Sequence, residues 1–165
     1  VLSLAPIAIY PFMKRFTWWP QLFLGIAFNW GVLMGYAGLA GKLSGAAGLV
    51  YIAAIFWTVG YDTIYAHQDR EDDALIGLKS SAIRLGEKTH IALWLIYGLS
   101  VMSFIIAGLM AFAGLWFFLI IGGVALHLAW QIVNTDRNDS GKCLAVFKSN
   151  RIMGFIIMLA FTLSL

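Results

Sequence analysis

Residues 45–80 read GAAGLVYIAAIFWTVGYDTIYAHQDREDDALIGLKS, an apolar run that closes on five carboxylates, Asp62, Asp69, Glu71, Asp72 and Asp73. The apolar part, Gly45 to Ala66, is long enough to cross a hydrocarbon core of about 30 Å as a helix. Acids are strongly disfavoured in that core and tolerated at its edge. The stretch therefore predicts a transmembrane helix that delivers a cluster of negative charge to one membrane face. The rest of the chain fits this reading. Of its 165 residues, 61% are hydrophobic and 12% charged, with a mean hydropathy of +0.85, whereas soluble domains carry roughly 25% charged residues.

Further apolar runs fall at Val1 to Phe12, Trp19 to Ala40, His90 to Phe112, Trp116 to Val133 and Ile152 to Leu165. The interior runs have spanning length, and the two outer ones look cut off. The chain opens at Val1 without a methionine and closes at Leu165 inside an apolar run. The expectation is an all-α, polytopic transmembrane helix bundle with about five to six spans. It forms a single domain over 1–165, the C-terminal portion of a longer protein whose N-terminal portion is missing. Val1 to Phe12 has neither the charged start nor the small-residue cleavage site of a signal peptide. The single cysteine, Cys143, excludes an internal disulfide and a CxxC metal site.

Charge alternates sharply between successive loops. The first holds Lys14 and Arg15, the third Arg70, Lys79, Arg84 and Lys88, and the fifth Arg137, Lys142 and Lys148, with Arg151 entering the last span. The second holds only Lys42 and the fourth no charge, so ten of the eleven basic residues share one side. Positive loops stay on the cytoplasmic side. This puts Lys14/Arg15, Asp62 to Lys88 and Asp136 to Arg151 on the cytoplasmic face of a bacterial inner membrane, or the matrix face of a mitochondrial one. All eight acids lie on that side too. One face is polar and the other nearly bare, which marks the polar face as the working one. Its basic loops favour anionic lipid headgroups, and nothing points to a nucleic-acid partner.

If the helix carrying Asp62 continues beyond the membrane surface, Asp62, Tyr65, Asp69 and Asp73 fall on one stripe, with Asp69 and Asp73 a turn apart. Carboxylates at this spacing can share a hard cation, and Mg²⁺ takes one or two carboxylates plus phosphate oxygens and water. That donor set suits a metal-bridged diphosphate. Charge runs are also commonly solvated faces, here opposed by Arg70, Lys79, Arg84 and Lys88. Glu71 fits that description best and Asp72 less well. Asp62 fits it least, because it sits in an otherwise apolar helix end. Lys14, Arg15 and Lys79 share the side of the acids and can reach diphosphate oxygens. His67 lies off the stripe and is expected as an interfacial polar group. Asn29, His127, Gln131 and Asn134 are intramembrane polar groups that should face the bundle interior. For Asn29, an interhelical hydrogen bond and a substrate contact both stay open. Gly25, Gly31, Gly35, Gly38, Gly122 and Gly123 are read as helix-packing positions.

YDTIYAHQDREDDALIGLKS (61–80) resembles the second aspartate-rich motif of the UbiA superfamily of intramembrane prenyltransferases. YPFMKRFTWWPQLFLG (10–25) is similar to the segment that precedes it in the family's hydroxybenzoate branch. DRNDSGKCLAVFKSNRIMGF (136–155) is similar to the family's late cytoplasmic loop and last helix. The three cover the chain in the expected order. The resemblance implies a nine-helix bundle, of which this chain holds part of the fourth helix and the fifth to ninth. It further implies Mg²⁺-dependent transfer of a polyprenyl group from polyprenyl diphosphate to an aromatic acid, 4-hydroxybenzoate, in ubiquinone biosynthesis. By motif matching, Asp69 and Asp73 would bind the metal. Asp62 and Tyr65, in the YDTxYA lead-in, would stand near the metal or aromatic site, and Arg15 would assist substrate binding. Lys79 and Lys14 would contact diphosphate, with Asp72 and Asn29 as additional site residues. The family's first motif, NDxxDxxxD, does not occur in this sequence, so the chain would hold half of the metal site.

The implied chemistry is electrophilic aromatic substitution. The allylic C–O bond ionises as the diphosphate leaves, the ring carbon ortho to the phenol attacks, and Asp62 orients the phenol or takes the proton. Two other readings are a related member acting on homogentisate, a naphthoate or haem, and a divalent-cation channel or transporter whose acids form a vestibule.

Overall fold

Ser44 starts the helix that organises the bundle. Its hydroxyl accepts a hydrogen bond from Ala47 N at 3.1 Å, an N-cap that satisfies one of the free amides of a first turn. Helix α4 then runs Gly45–Tyr65. The computed structural model describes residues 4–163; the tips of the two outer apolar runs, Val1 to Ser3 and Ser164 to Leu165, lie outside them. Before α4 come α1 (Leu4–Phe16), α2 (Pro20–Phe28) and α3 (Trp30–Ala40). After it come α5 (Arg70–Leu75), α6 (Ser81–Leu85), a 3₁₀ turn at Gly86–Lys88, α7 (Thr89–Met110), α8 (Leu115–Asn134) and α9 (Ser140–Thr162).

Among the described residues, five helical stretches are long and apolar enough to cross a membrane: Pro20–Ala40, Gly45–Tyr65, Ser81–Met110, Leu115–Asn134 and Ser140–Thr162. With large apolar side chains such as Leu95, Leu99, Leu126 and Phe155 exposed on its outer surface, this is an integral membrane protein.

Three boundaries differ from the sequence reading. Helix α1 runs on to Phe16, so Lys14 and Arg15 sit in its last turn and not in a loop. The run Trp19 to Ala40 is divided at Asn29 into α2 and α3. The last span begins at Ser140, not Ile152. Asp139 caps it by accepting from Lys142 N at 2.9 Å, so Lys142, Lys148 and Arg151 ride on the helix and not in a loop.

Helix α4 packs most extensively on α7 and also meets α2 and α9, while α8 bridges α7 and α9. The α4–α7 seam is close because Gly60 has no side chain: a Cβ there would run into the ring of Tyr97. Gly108 of α7 receives the ring of Phe117 in the same way. Of the glycines singled out from sequence only Gly25 packs this closely, since a Cβ there would stand 3.1 Å from Ile55 O. A Cβ on Gly31, Gly35, Gly38, Gly122 or Gly123 would meet nothing within 4 Å. Ile64, Leu93, Tyr97, Val124, Leu128, Ile132, Val146 and Met153 form the core beneath the polar end.

Buried polar groups tie the same helices together. Tyr97 Oη donates to Gln131 Oε1 at 2.6 Å, and Gln131 Nε2 donates to Ser149 Oγ at 3.1 Å. His127 Nε2 lies 3.1 Å from the same hydroxyl. Asn29 Nδ2 is within reach of Gly25 O (2.9 Å), Ala54 O (3.2 Å) and Thr58 Oγ1 (2.8 Å). The Asn29 amide thus holds the α2–α3 break against α4.

Candidate active site

Of the five acids, Asp62 stays on α4, and the other four divide between two sides of one short helix. Helix α4 stops at Tyr65. Ala66 N still bonds Asp62 O at 2.9 Å, but His67 N and Gln68 N reach back only three residues, to Ile64 O (3.2 Å) and Tyr65 O (2.9 Å). Asp69 then opens α5. The continuous stripe expected from sequence is therefore broken across Ala66 to Asp69.

The cause lies in His67, which is turned inward. It is only 5% exposed, with Nε2 3.1 Å from Thr89 Oγ1, so it is a buried tether and not an interfacial group. Glu71, Asp72 and Asp73 occupy the first turn of α5, where the helix dipole favours negative charge. That Asp-then-acids pattern is a helix-start signal the sequence reading passed over.

The break keeps the spacing that matters. Asp73 N bonds Asp69 O at 2.8 Å, so the two aspartates remain one turn apart on α5. Gly77, with φ of +73°, takes the left-handed conformation that lets Leu78 N close onto Asp73 O at 2.8 Å. Asp73 is thereby buried, and Lys14 Nζ lies 3.1 Å from both of its carboxylate oxygens. Lys79 docks beside it. Its N–H donates to Lys14 O at 2.8 Å, its Nζ donates to Phe16 O at 3.3 Å, and the ammonium stands 5.7 Å over the Trp18 ring. The C-terminus of α1 is thus capped by a lysine from another loop.

Asp62, half-buried on the last turn of α4, lies within electrostatic reach of both Lys14 and Asp69. Tyr10, one turn before Lys14 on α1, is coupled to the same Asp62 and Lys14. The structure therefore brings together Asp62, Asp69, Asp73, Lys14 and Tyr10, with Lys79 at their flank. The sequence reading left Tyr10 out. Its i, i+4 spacing to Lys14 within YPFMK was the available signal.

Tyr65 packs its ring 4.7 Å from Phe147, and Tyr61 lies 5.7 Å from the same ring and 5.5 Å from Trp57. Trp57, Tyr61 and Tyr65 follow one face of α4 at four-residue steps, so an aromatic wall leads from the acids toward the membrane interior. Asn150 Oδ1 fixes its far end by accepting from Trp57 Nε1 at 2.9 Å.

Other expected site residues stand apart. Arg15 is exposed on the last turn of α1. Glu71 and Asp72 are exposed and line a cleft facing Arg137, on the opposite side of α5 from Lys14. Of the cations that oppose the acids in sequence, none of Arg70, Lys79, Arg84 and Lys88 forms an ion pair with them among the described residues; Asp73 pairs with Lys14 instead.

Among the described residues no three His, Cys, Asp or Glu side chains converge as a metal-binding group. The chain instead offers Asp69 with Asp73 one turn away and Asp62 nearby. That set fits a cation that takes one or two carboxylates and completes its shell with phosphate oxygens and water.

Fold and site define a polytopic helical membrane protein with a carboxylate and lysine cluster at the mouth of an aromatic wall. The chain belongs to the UbiA prenyltransferase family, whose model matches residues 1–160. It is similar to a mitochondrial 4-hydroxybenzoate polyprenyltransferase of Dictyostelium discoideum, 42% identical over 163 residues, which are 98% of this chain and 35% of that protein. A 4-hydroxybenzoate octaprenyltransferase of Pseudomonas fluorescens is 42% identical over 161 residues, 98% of this chain and 54% of that protein. The mitochondrial 4-hydroxybenzoate polyprenyltransferase of Bos taurus is 43% identical over 168 residues, 98% of this chain and 44% of that protein. The chain thus spans about a third to a half of the length of these curated relatives. No solved structure gives a significant match.

Proposed function

We propose that the full-length protein transfers a polyprenyl group from polyprenyl diphosphate to 4-hydroxybenzoate, a step of ubiquinone biosynthesis, at the cytoplasmic or matrix face of an inner membrane. The observation that carries this reading is the Lys14–Asp73 contact, with Asp69 one turn away and Asp62 beside it. A cation and three carboxylates gathered at the polar end of a lipid-embedded bundle suit a diphosphate ester whose hydrocarbon tail stays in the membrane. The names of the relatives support the choice of acceptor.

In this reading Lys14 moves its ammonium from Asp73 to a diphosphate oxygen, which frees that carboxylate. Asp69 and Asp73 would hold Mg²⁺, which supplies charge neutralisation at the departing diphosphate. Lys79 adds positive charge beside the same oxygens, stabilising the anion as the allylic C–O bond breaks. The aromatic wall of Tyr65, Tyr61 and Trp57 lies where the allylic cation forms, and ring faces attract cations. The acceptor ring carbon forms the new C–C bond, and Asp62 takes the proton that this carbon releases.

The reading is tested with the full-length protein in membranes, supplied with polyprenyl diphosphate and labelled 4-hydroxybenzoate. Prenylated hydroxybenzoate should appear with Mg²⁺ and cease on chelation. Product from homogentisate or a naphthoate, with none from 4-hydroxybenzoate, would contradict the acceptor. Product at an undiminished rate after chelation would contradict the metal.

A further inference from the structure

Helix α9 meets the aromatic wall with a stripe of its own. Phe147, Asn150 and Gly154 recur along it at three- and four-residue steps, the spacing of one helix face. Tyr61 and Tyr65 of α4 close on the Phe147 ring, while the half-buried Trp57 meets the other two residues. Its Nε1–H donates to Asn150 Oδ1 at 2.9 Å, and a Cβ on Gly154 would stand 3.9 Å from its Cη2.

Asn150 is itself held in place. Its Nδ2 donates to Phe147 O, in the preceding turn of α9, at 3.0 Å. An indole nitrogen only donates, so the amide oxygen has to face Trp57 and the amide nitrogen the helix. The Trp57 bond crosses from α4 to α9 and spends the only donor the indole has. The remaining ring contact, with Tyr61 edge to face at 5.5 Å, lies within α4. The Asn150 carbonyl therefore sets the angle at which the indole stands between the two helices.

Depth separates the rings of the wall. Tyr65 shares the last turn of α4 with Asp62. Trp57 lies two turns earlier on the same face, about 12 Å deeper at the helical rise. A donor whose diphosphate is held at Asp69 and Asp73 places its first isoprene unit beside Tyr65 and reaches Trp57 only with the chain that follows.

We propose that Asn150 is a positioning residue for the donor: by fixing the Trp57 indole it sets the hold on the hydrocarbon chain beyond the allylic unit and so the preference for a long donor. This rests on the reading that polyprenyl diphosphate is the donor. Asn150 acts through the ring, and its effect is confined to donors long enough to meet it.

The test is binding of two thiolodiphosphate analogues, octaprenyl and dimethylallyl, to the full-length protein in membranes with Mg²⁺. Their C–S bond resists cleavage, so neither turnover nor an acceptor is involved. The short chain ends before Trp57 and the long one passes it. Asn150→Leu keeps the bulk of the side chain and removes the acceptor. It should weaken the octaprenyl analogue about fivefold, the worth of the one hydrogen bond that holds the ring, and leave the dimethylallyl analogue within about twofold. Asn150→Ala should repeat the selective loss with no bulk added at the α4–α9 seam. Trp57→Phe should show it too, and adding Asn150→Leu to Trp57→Phe should cost nothing further. A parent protein that binds neither analogue would refute the donor and this proposal with it. A parent that binds both, with variants that weaken the two analogues equally or weaken neither, would overturn the positioning role alone. So would an Asn150→Leu effect that persists in full beside Trp57→Phe.

Discussion

Lys14 Nζ stands 3.1 Å from both carboxylate oxygens of Asp73, and this contact joins the end of α1 to α5 across 59 residues of chain. The Asp73 side chain is 7% exposed and that of Lys14 35%. Removing the cation leaves a buried carboxylate uncompensated, whereas replacing the carboxylate by an amide keeps an acceptor for the lysine. Lys14→Met should therefore destabilise the protein by about 2 kcal/mol, a value kept modest by the partial exposure of the lysine. Asp73→Asn should cost less than half of that. Thermal unfolding of the two variants in detergent makes the comparison.

The α4–α7 seam predicts a contrast between two glycines. A methyl at Gly60 runs into the Tyr97 ring, whereas one at Gly35 meets nothing within 4 Å. Gly60→Ala should force the helices apart and destabilise by about 1–3 kcal/mol. Gly35→Ala should be neutral or slightly stabilising, since alanine is the better helix former. Unfolding midpoints in the same detergent decide it, and equal effects would remove the seam from the account.

Tyr97 and Gln131 predict a second packing effect. Tyr97→Phe keeps the ring in its place but removes the donor of the 2.6 Å bond, leaving Gln131 Oε1 buried without it. The loss should be about 1 kcal/mol, in the range measured for hydrogen bonds between transmembrane helices. Adding Gln131→Leu to Tyr97→Phe should cost less than the sum of the single changes, because the orphaned acceptor is gone.

His67 predicts a pH dependence of stability. Burial, reinforced by the positive charges of Arg70, Arg137 and His90, lowers its pKa from 6.5 to about 4. Between those values the unfolded chain binds the proton and the folded one does not. Stability is therefore lost as pH falls from about 6.5 toward 4 and is unaffected by this group above that window. The melting temperature should drop between pH 7 and pH 5, and His67→Gln should flatten that part of the profile.

The spans and the polar face were legible because they rest on long apolar runs and on charge, which sequence displays directly. Asp69 and Asp73 stayed one turn apart as their spacing implied, since that spacing lies within a single helix. The link from Asp62 to them was not legible as drawn. It crosses a turn created by His67 reaching Thr89, a contact 22 residues away. Asp72 was open from spacing alone, and its position on the far side of α5 follows from that same turn. Lys14 was grouped with the acids only by its side of the membrane. Its pairing with Asp73 depends on how α1 packs on α2 and how the Gly77 turn closes, and neither leaves a local pattern. Asn29 had two open readings, and the residues of α4 it bonds, Ala54 and Thr58, lie 25 and 29 residues beyond it.

The central claim is that Asp69 and Asp73, and not the other acids of the same run, serve the diphosphate. Turnover of polyprenyl diphosphate and 4-hydroxybenzoate by the full-length protein should be compared across Asp69→Asn, Asp73→Asn, Glu71→Gln and Asp72→Asn. The first two should lose about a hundredfold or more in turnover, the effect of removing a group that stabilises transition-state charge. The last two should stay within about twofold of the parent, because Glu71 and Asp72 line the opposite side of α5. Loss of activity shared equally by all four, or full activity in Asp69→Asn and Asp73→Asn, would contradict the account.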